Sequence, residues 1–191
     1  MKMRRVFSMK IFFNCEFTGL HKNTTLISIG LVTETGDAFY AEFTNYDRTQ
    51  INEWLQKNVL DKLIVDMNKD ITYFEADGET DGNPLKLIGG SKKFIAGKLK
   101  EWLWNYRDIE MWSDCLAYDW VLFIDIFGDA FDLPRNINYI PFDICTLFKI
   151  KGIDPDISRE EFAEEYDKSM KHNALYDTKV IKKCYEKLMK L

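Results

Sequence analysis

From Lys10 to about Phe43 the chain runs through three strand-like stretches, KIFFNCEF, TLISIGLVTET and AFYAEF. They are rich in β-branched and aromatic residues, with the turn signal Thr35-Gly36-Asp37 between the second and third. This pattern predicts a three-strand antiparallel meander. Along the first strand, side chains alternate, so Asn14, Glu16 and Thr18 share one face while Phe13, Cys15 and Phe17 share the other. The period then changes. Ile51, Trp54, Leu55, Val59 and Leu63 recur near helical spacing over residues 49 to 63, and Ile95, Leu99, Trp102 and Tyr106 form a clearer stripe from Ser91 to Tyr106. Between them, ITYFEADGETDGNPLKLIGG is acidic and Gly-rich and reads as an irregular excursion or a short hairpin. A short strand at IEMWSD, a helix from about Ala117 to Phe127, a loop from Pro134 to Pro141, a helical segment near FDICTLFKI and two C-terminal helices complete the pattern. Strands first, then helices interleaved with a further strand, predict an α/β fold with a mixed sheet flanked by helices.

At 191 residues with 46% hydrophobic and 15% aromatic content, the chain is long enough for one domain with a sizeable core. Its formal net charge of -5 argues against a broad surface for holding long duplex DNA, so any nucleic-acid contact should be short and local. The start, MKMRRVFSMKIFF, lacks a signal-peptide core because Lys10 interrupts the apolar run, and residues 1 to 8 read as a short extension. No stretch approaches the length of a membrane-spanning helix, and a cytoplasmic location is expected. Cys15, Cys115, Cys145 and Cys184 lie far apart with no Cys-x-x-Cys pair, which favours reduced core thiols over a disulfide framework or a zinc site.

The informative acids are those on apolar faces. Asp119 precedes Leu122, Phe123 and Ile126 at the i+3, i+4 and i+7 positions, and Asp177 precedes Ile181, Cys184 and Leu188 on one face. Glu16 sits between aromatic residues in a strand that reads as central. Taken singly, each reads as a helix cap or a partner for buried amides. Together they read as a cation site, because burying three carboxylates costs several kcal/mol each and no Arg or Lys shares their stripes. Oxygen donors without Cys or His pairs favour magnesium or manganese over zinc. His172 stands just ahead of Asp177 in HNALYD, where Asn173 is a natural N-cap. An imidazole there suits a general base. His21 has no such company and reads as a loop residue.

These residues, in this order, resemble the DEDDh family of 3'-to-5' exonucleases. The family's Asp-x-Glu motif is matched by NCEFTG, Asn14 to Gly19; its aromatic-Asp pair by Tyr118 and Asp119; its His-x4-Asp by His172 to Asp177. EFTGL, YDWVLF and HNALYD look most like the small stand-alone exoribonucleases of the RNase AS type. The resemblance covers roughly Met9 to Leu191 and implies a ribonuclease H-like fold. It implies a two-metal mechanism with two Mg2+ or Mn2+ ions clamping the scissile phosphate, position 14, Glu16, Asp119 and Asp177 holding them, and His172 as base. Thr18, Gly19 and Leu20 match the stretch that meets the terminal nucleotide in such enzymes, with backbone groups reading the 3'-hydroxyl and Leu20 wedged beside the last base. The substrate so implied is a single-stranded nucleic-acid 3' end, RNA ahead of DNA. Relatives of this kind are commonly homodimers, and some occur in bacterial anti-phage defence.

Asn14 departs from the pattern. An amide oxygen brings no negative charge to a cation, so the residue should suppress activity. Two accounts compete: a pseudo-nuclease that binds ends without cutting, or a deliberate Asp-to-Asn change. The intactness of Glu16, Asp119, His172 and Asp177 favours the second. Stacking partners for bases are expected among Tyr118, Trp120, Trp112 and Trp104, and Lys92, Lys93 and Lys100 are candidates for phosphate contact.

Overall fold

The computed structural model describes residues 8–65, 72–165 and 167–191. Most of the expected 1–8 extension, and Ile71, lie outside them. The meander is present: β1 (Met9–Phe17) pairs antiparallel with β2 (Leu26–Thr33), which pairs antiparallel with β3 (Ala38–Phe43). The acidic stretch is a hairpin, β4 (Phe74–Thr80) and β5 (Asn83–Gly90), closed by Asp81 and Gly82 at φ 52 and 74. Two left-handed residues are what a two-residue turn of this hand requires, and an Asp-Gly pair supplies them cheaply. β5 runs parallel to β3, extending the sheet on one side. On the other side β6 (Ile109–Ser113) runs parallel to β1, and the two-residue β7 (Phe142–Asp143) parallel to β6. The order β4-β5-β3-β2-β1-β6-β7 is a mixed sheet with helices on both faces, the α/β arrangement expected.

The two faces differ. On one, Ile11, Phe13 and Cys15 pack with residues of α2 (Lys92–Leu103) and α3 (Ala117–Phe127). On the other, Phe12 packs with α4 (Ile144–Ile150) and α6 (Ala174–Leu188), with α5 (Arg159–Phe162) alongside. The strand's alternation therefore places Asn14 and Glu16 on the α6 side.

The segment from 49 to 63 departs from one regular helix. It is a turn at Arg48–Gln50, a short α1 (Glu53–Asn58) and a turn at Leu60–Lys62. The Asn52 side chain accepts from the Leu55 N–H at 2.8 Å and fixes the start of α1. Leu55 and Val59 then face Ile27 in a small core, and Trp54 is turned to the outside, 53% exposed. In the same way Ser91 caps α2 and the helix ends at Leu103, so Tyr106 falls outside it and packs back on Trp102.

Candidate active site

β1 and β6 are parallel neighbours, and the crevice beyond the carboxyl ends of parallel strands is where open α/β sheets place their ligands. Asn14 and Glu16 lie near the end of β1, and the turn after β6 leads into α3, whose first turn carries Asp119. Asp177 comes from the first turn of α6, where the positive end of the helix dipole favours a carboxylate. That turn is built locally. Asn173 Oδ1 accepts from the amides of Leu175 and Tyr176 at 3.1 and 3.2 Å, and Asp177 Oδ2 accepts the His172 N–H at 3.0 Å.

Gly30 of β2, opposite Asn14 in the ladder, lets α6 come this close. A Cβ there would stand 2.4 Å from the Ala174 carbonyl oxygen and 2.7 Å from Leu175 Cα. The hydroxyl of Thr178 bonds the Gly30 carbonyl at 3.0 Å and secures the contact. The alternation of β2 gives no hint that a backbone must pass there, so this positioning role is visible only in three dimensions.

Asn14, Glu16, Asp119, His172 and Asp177 all line one cavity of about 450 Å³, together with Thr18, Gly19, Leu20 and Tyr118. Glu16, His172 and Asp177 offer donor atoms within 4.8 Å of one another. Asp119 is buried and accepts a hydrogen bond from Ser113 Oγ. Loss of water, and then its acidic neighbours Asp177 and Asp119, push the Glu16 carboxyl well above its ordinary range. Burial likewise lifts Asp119 and Asp177 to about 7. The nearby cations are already committed: Arg159 forks onto Asp114 at 2.8 and 3.0 Å, and Lys171 pairs with Glu160 at 2.8 Å. A desolvated, mutually repelling set of oxygen donors is the chemistry a hard divalent cation answers. The residues present fit such an ion.

Asn14 Nδ2 donates to Glu16 Oε1 at 3.3 Å, so the amide takes part in the cluster as a donor. His172 sits at φ 69 with its ring edge-on to Trp54, centroids 5.0 Å apart. It is therefore braced. Burial, and the charges of Lys171 and Lys62, hold its pKa below the ordinary imidazole value, so the ring is neutral near pH 7.

The stretch after Glu16 is more internally bonded than expected. The Thr18 hydroxyl donates to Gln50 at 2.5 Å, the Thr18 N–H to the Thr25 carbonyl at 3.0 Å, and the Gly19 N–H to Thr24 Oγ1 at 3.0 Å. These two amides brace a tight loop and are not free to read a nucleotide as the resemblance implied. Leu20, 77% exposed, stands at the cavity's edge. Tyr118 is stacked on Phe17 at 5.5 Å and lines the same cavity.

Other candidates fall elsewhere. Trp120 stacks on Phe123 and Trp112 on Phe142, both in packed clusters. Lys92 pairs with Asp125, and Lys100 lies over the Phe127 ring. Trp104 is exposed at the end of α2, outside the residues lining the cavity. Sequence reasoning missed Asn52, Trp54, Asp114 and Cys115, which line the cavity as well. It also placed all four cysteines in the core: Cys15 and Cys184 are buried, whereas Cys115 is exposed and Cys145 half-buried.

Two proteins named 3'-5' exoribonuclease, from Mycobacterium tuberculosis strains CDC 1551 / Oshkosh and ATCC 25618 / H37Rv, are each 27% identical over 146 residues. The match covers 75% of this chain and 76% of theirs. Among solved structures, the Neurospora crassa Pan2 catalytic unit (protease and nuclease domain) aligns over 100% of this chain and 29% of its own length, with TM-score 0.47 and 15% identity. No family model matches the chain. Among the described residues no helix is long and apolar enough to cross a membrane.

Proposed function

We propose that this chain is a metal-dependent 3'-to-5' exonuclease of single-stranded RNA ends, with hydrolysis suppressed by Asn14. The observation that carries the reading is the convergence of Glu16, Asp119, His172 and Asp177, from three separate segments, on one cavity. Similarity to proteins named 3'-5' exoribonuclease over three quarters of the chain supports it. Glu16, Asp119 and Asp177, with the Asn14 amide oxygen, would hold magnesium or manganese. Such ions, when bound, polarise the scissile phosphate and stabilise the charge that develops on the attacking and leaving oxygens. His172, neutral near pH 7 and braced by Trp54, takes the proton of the attacking water. Leu20 and Tyr118 present apolar surface to the terminal base, and the cavity's size suits one nucleotide at a time.

The Asn14 donation to Glu16 favours a second reading, a module that binds 3' ends without cutting them. A time course on 3'- and 5'-labelled single-stranded RNA and DNA with magnesium or manganese separates the two. If a carboxylate at position 14 supplies about 3 to 4 kcal/mol of transition-state stabilisation, Asn14→Asp raises the rate by a factor on the order of hundreds. Stepwise shortening from the 3' end by that variant supports the exonuclease, and the preferred polymer names the substrate. Tight end-binding with no cleavage by either protein supports the binding module.

A further inference from the structure

Cys115 and Cys145 are 30 positions apart in sequence, yet their sulfurs lie 3.8 Å apart. Asp114 joins them: its Oδ1 is 2.9 Å from the Cys145 sulfur, and donor atoms of the three residues fall within 4.8 Å of one another. Two sulfurs held at about 2.3 Å by one tetrahedral zinc ion are themselves about 3.8 Å apart, which is the separation found here. The two thiols are free, so the spacing is not that of a bonded pair.

The charge around the cluster points the same way. Arg159 forks onto the Asp114 carboxylate, and its Nη2 also reaches the Cys145 sulfur at 3.2 Å. The guanidinium is anchored by the Pro155 and Ile157 carbonyls at 2.7 and 2.6 Å and lies 4.6 Å from the Phe148 ring centroid. With both thiols ionised, three negative charges would face one fixed positive charge. The remaining two match a divalent cation.

We propose that Asp114, Cys115 and Cys145 form a binding site for a thiophilic divalent cation of the zinc class, separate from the oxygen-donor cluster around Glu16. Sulfur donors select such an ion over magnesium, and three protein ligands leave a fourth tetrahedral position for water. Arg159, bonded to the ligating carboxylate, orients it. Burial, and then Asp114, push the Cys145 thiol up to about 12 in the free protein, so binding displaces its proton. The ion ties the turn between β6 and α3 to the start of α4. That turn delivers Asp119 to the cavity, and Cys115 within it sits at φ 52, a left-handed conformation that ligation holds in place.

Cobalt(II) is the probe. The full chain, with its thiols shown reduced by titration, should develop a thiolate-to-cobalt charge-transfer band that saturates at one equivalent. Zinc should abolish the band, whereas excess magnesium should leave it unchanged. Cys145→Ser and the solvent-exposed Cys115→Ser should each lose most of it, and Cys184→Ser should retain it. Absence of the band in the reduced chain overturns the proposal, as does its persistence in the Cys115→Ser/Cys145→Ser double variant.

Discussion

Two clusters of potential ligands lie beside one cavity, which Asp114 and Cys115 of the second also line, and solve their electrostatics differently. Glu16, Asp119 and Asp177 are packed together with no cation of the described residues between them, and burial raises all three carboxyls. Asp114, beside Cys115 and Cys145, has its countercharge built in: Arg159 is forked onto it and held in turn by two carbonyls. The fold leaves the first cluster uncompensated, whereas it supplies the second with one fixed positive charge. An acid buried without compensation points to a group that only a ligand can answer, whereas one already paired, such as Asp114, is held in a fixed orientation before any ligand arrives.

The largest test of that contrast removes the proposed base beside the uncompensated cluster. In an Asn14→Asp background, His172→Asn should lower single-turnover cleavage of RNA by about 10²- to 10⁴-fold, the range for a positioned general base, with 3'-end binding little changed. Equal cleavage by the two proteins would remove His172 from the chemistry. The next test breaks the compensated cluster. Arg159→Met leaves Asp114, only 21% exposed, without its partner and should cost about 2 to 3 kcal/mol in urea unfolding, somewhat below the figure for a fully buried pair. Adding Asp114→Asn should recover most of that loss. No recovery would mean that Arg159 acts through its packing on Phe148.

A smaller effect follows from pH. Asp119 and Asp177 titrate near 7 in the folded protein against an ordinary value of 3.8, because burial disfavours their charged forms. The folded state thus keeps protons that the unfolded chain has already released. Their contribution to stability is complete below about pH 4, declines as pH rises to about 7, and levels off above it. The metal-free chain should melt progressively lower across that window. Magnesium should raise the melting temperature more at pH 8 than at pH 5, where protons compete for the same oxygens. A metal-free melting curve that climbs between pH 5 and 7 would contradict the burial argument.

How far these features were legible in the sequence depends on whether they are local. The meander, α3 from Ala117 to Phe127, and the inward-facing Asp119 follow from alternation and 3.6-residue periodicity, which are written within a dozen residues. The start of α6 was likewise readable from Asn173. By contrast, Gly30 matters because α6 crosses it, and the meeting of Cys115 with Cys145 depends on how β6, α3 and α4 are placed. Trp54 was misread for a physical reason. Its neighbours Leu55 and Val59 supply the apolar stripe, and the Asn52 cap sets a phase that rotates Trp54 away from Ile27 and into the cavity wall.

That placement sets up the finest test. Trp54 is 53% exposed and meets His172 at 68° between ring planes, so its removal should hardly alter stability. An edge-to-face pair contributes about 0.5 to 1.5 kcal/mol, so Trp54→Ala in the Asn14→Asp background should slow cleavage by about two- to ten-fold. The kinetic parameter that moves identifies the role. If Trp54 only braces the base, kcat falls while KM holds, and Trp54→Phe restores much of the rate by keeping a ring edge against the imidazole. If instead it stacks on the substrate's terminal base, KM rises, and the loss is larger for purine than for pyrimidine ends because the larger ring forfeits more contact. A change in KM alone would detach the brace from the chemistry and leave His172 held by its backbone bond to Asp177.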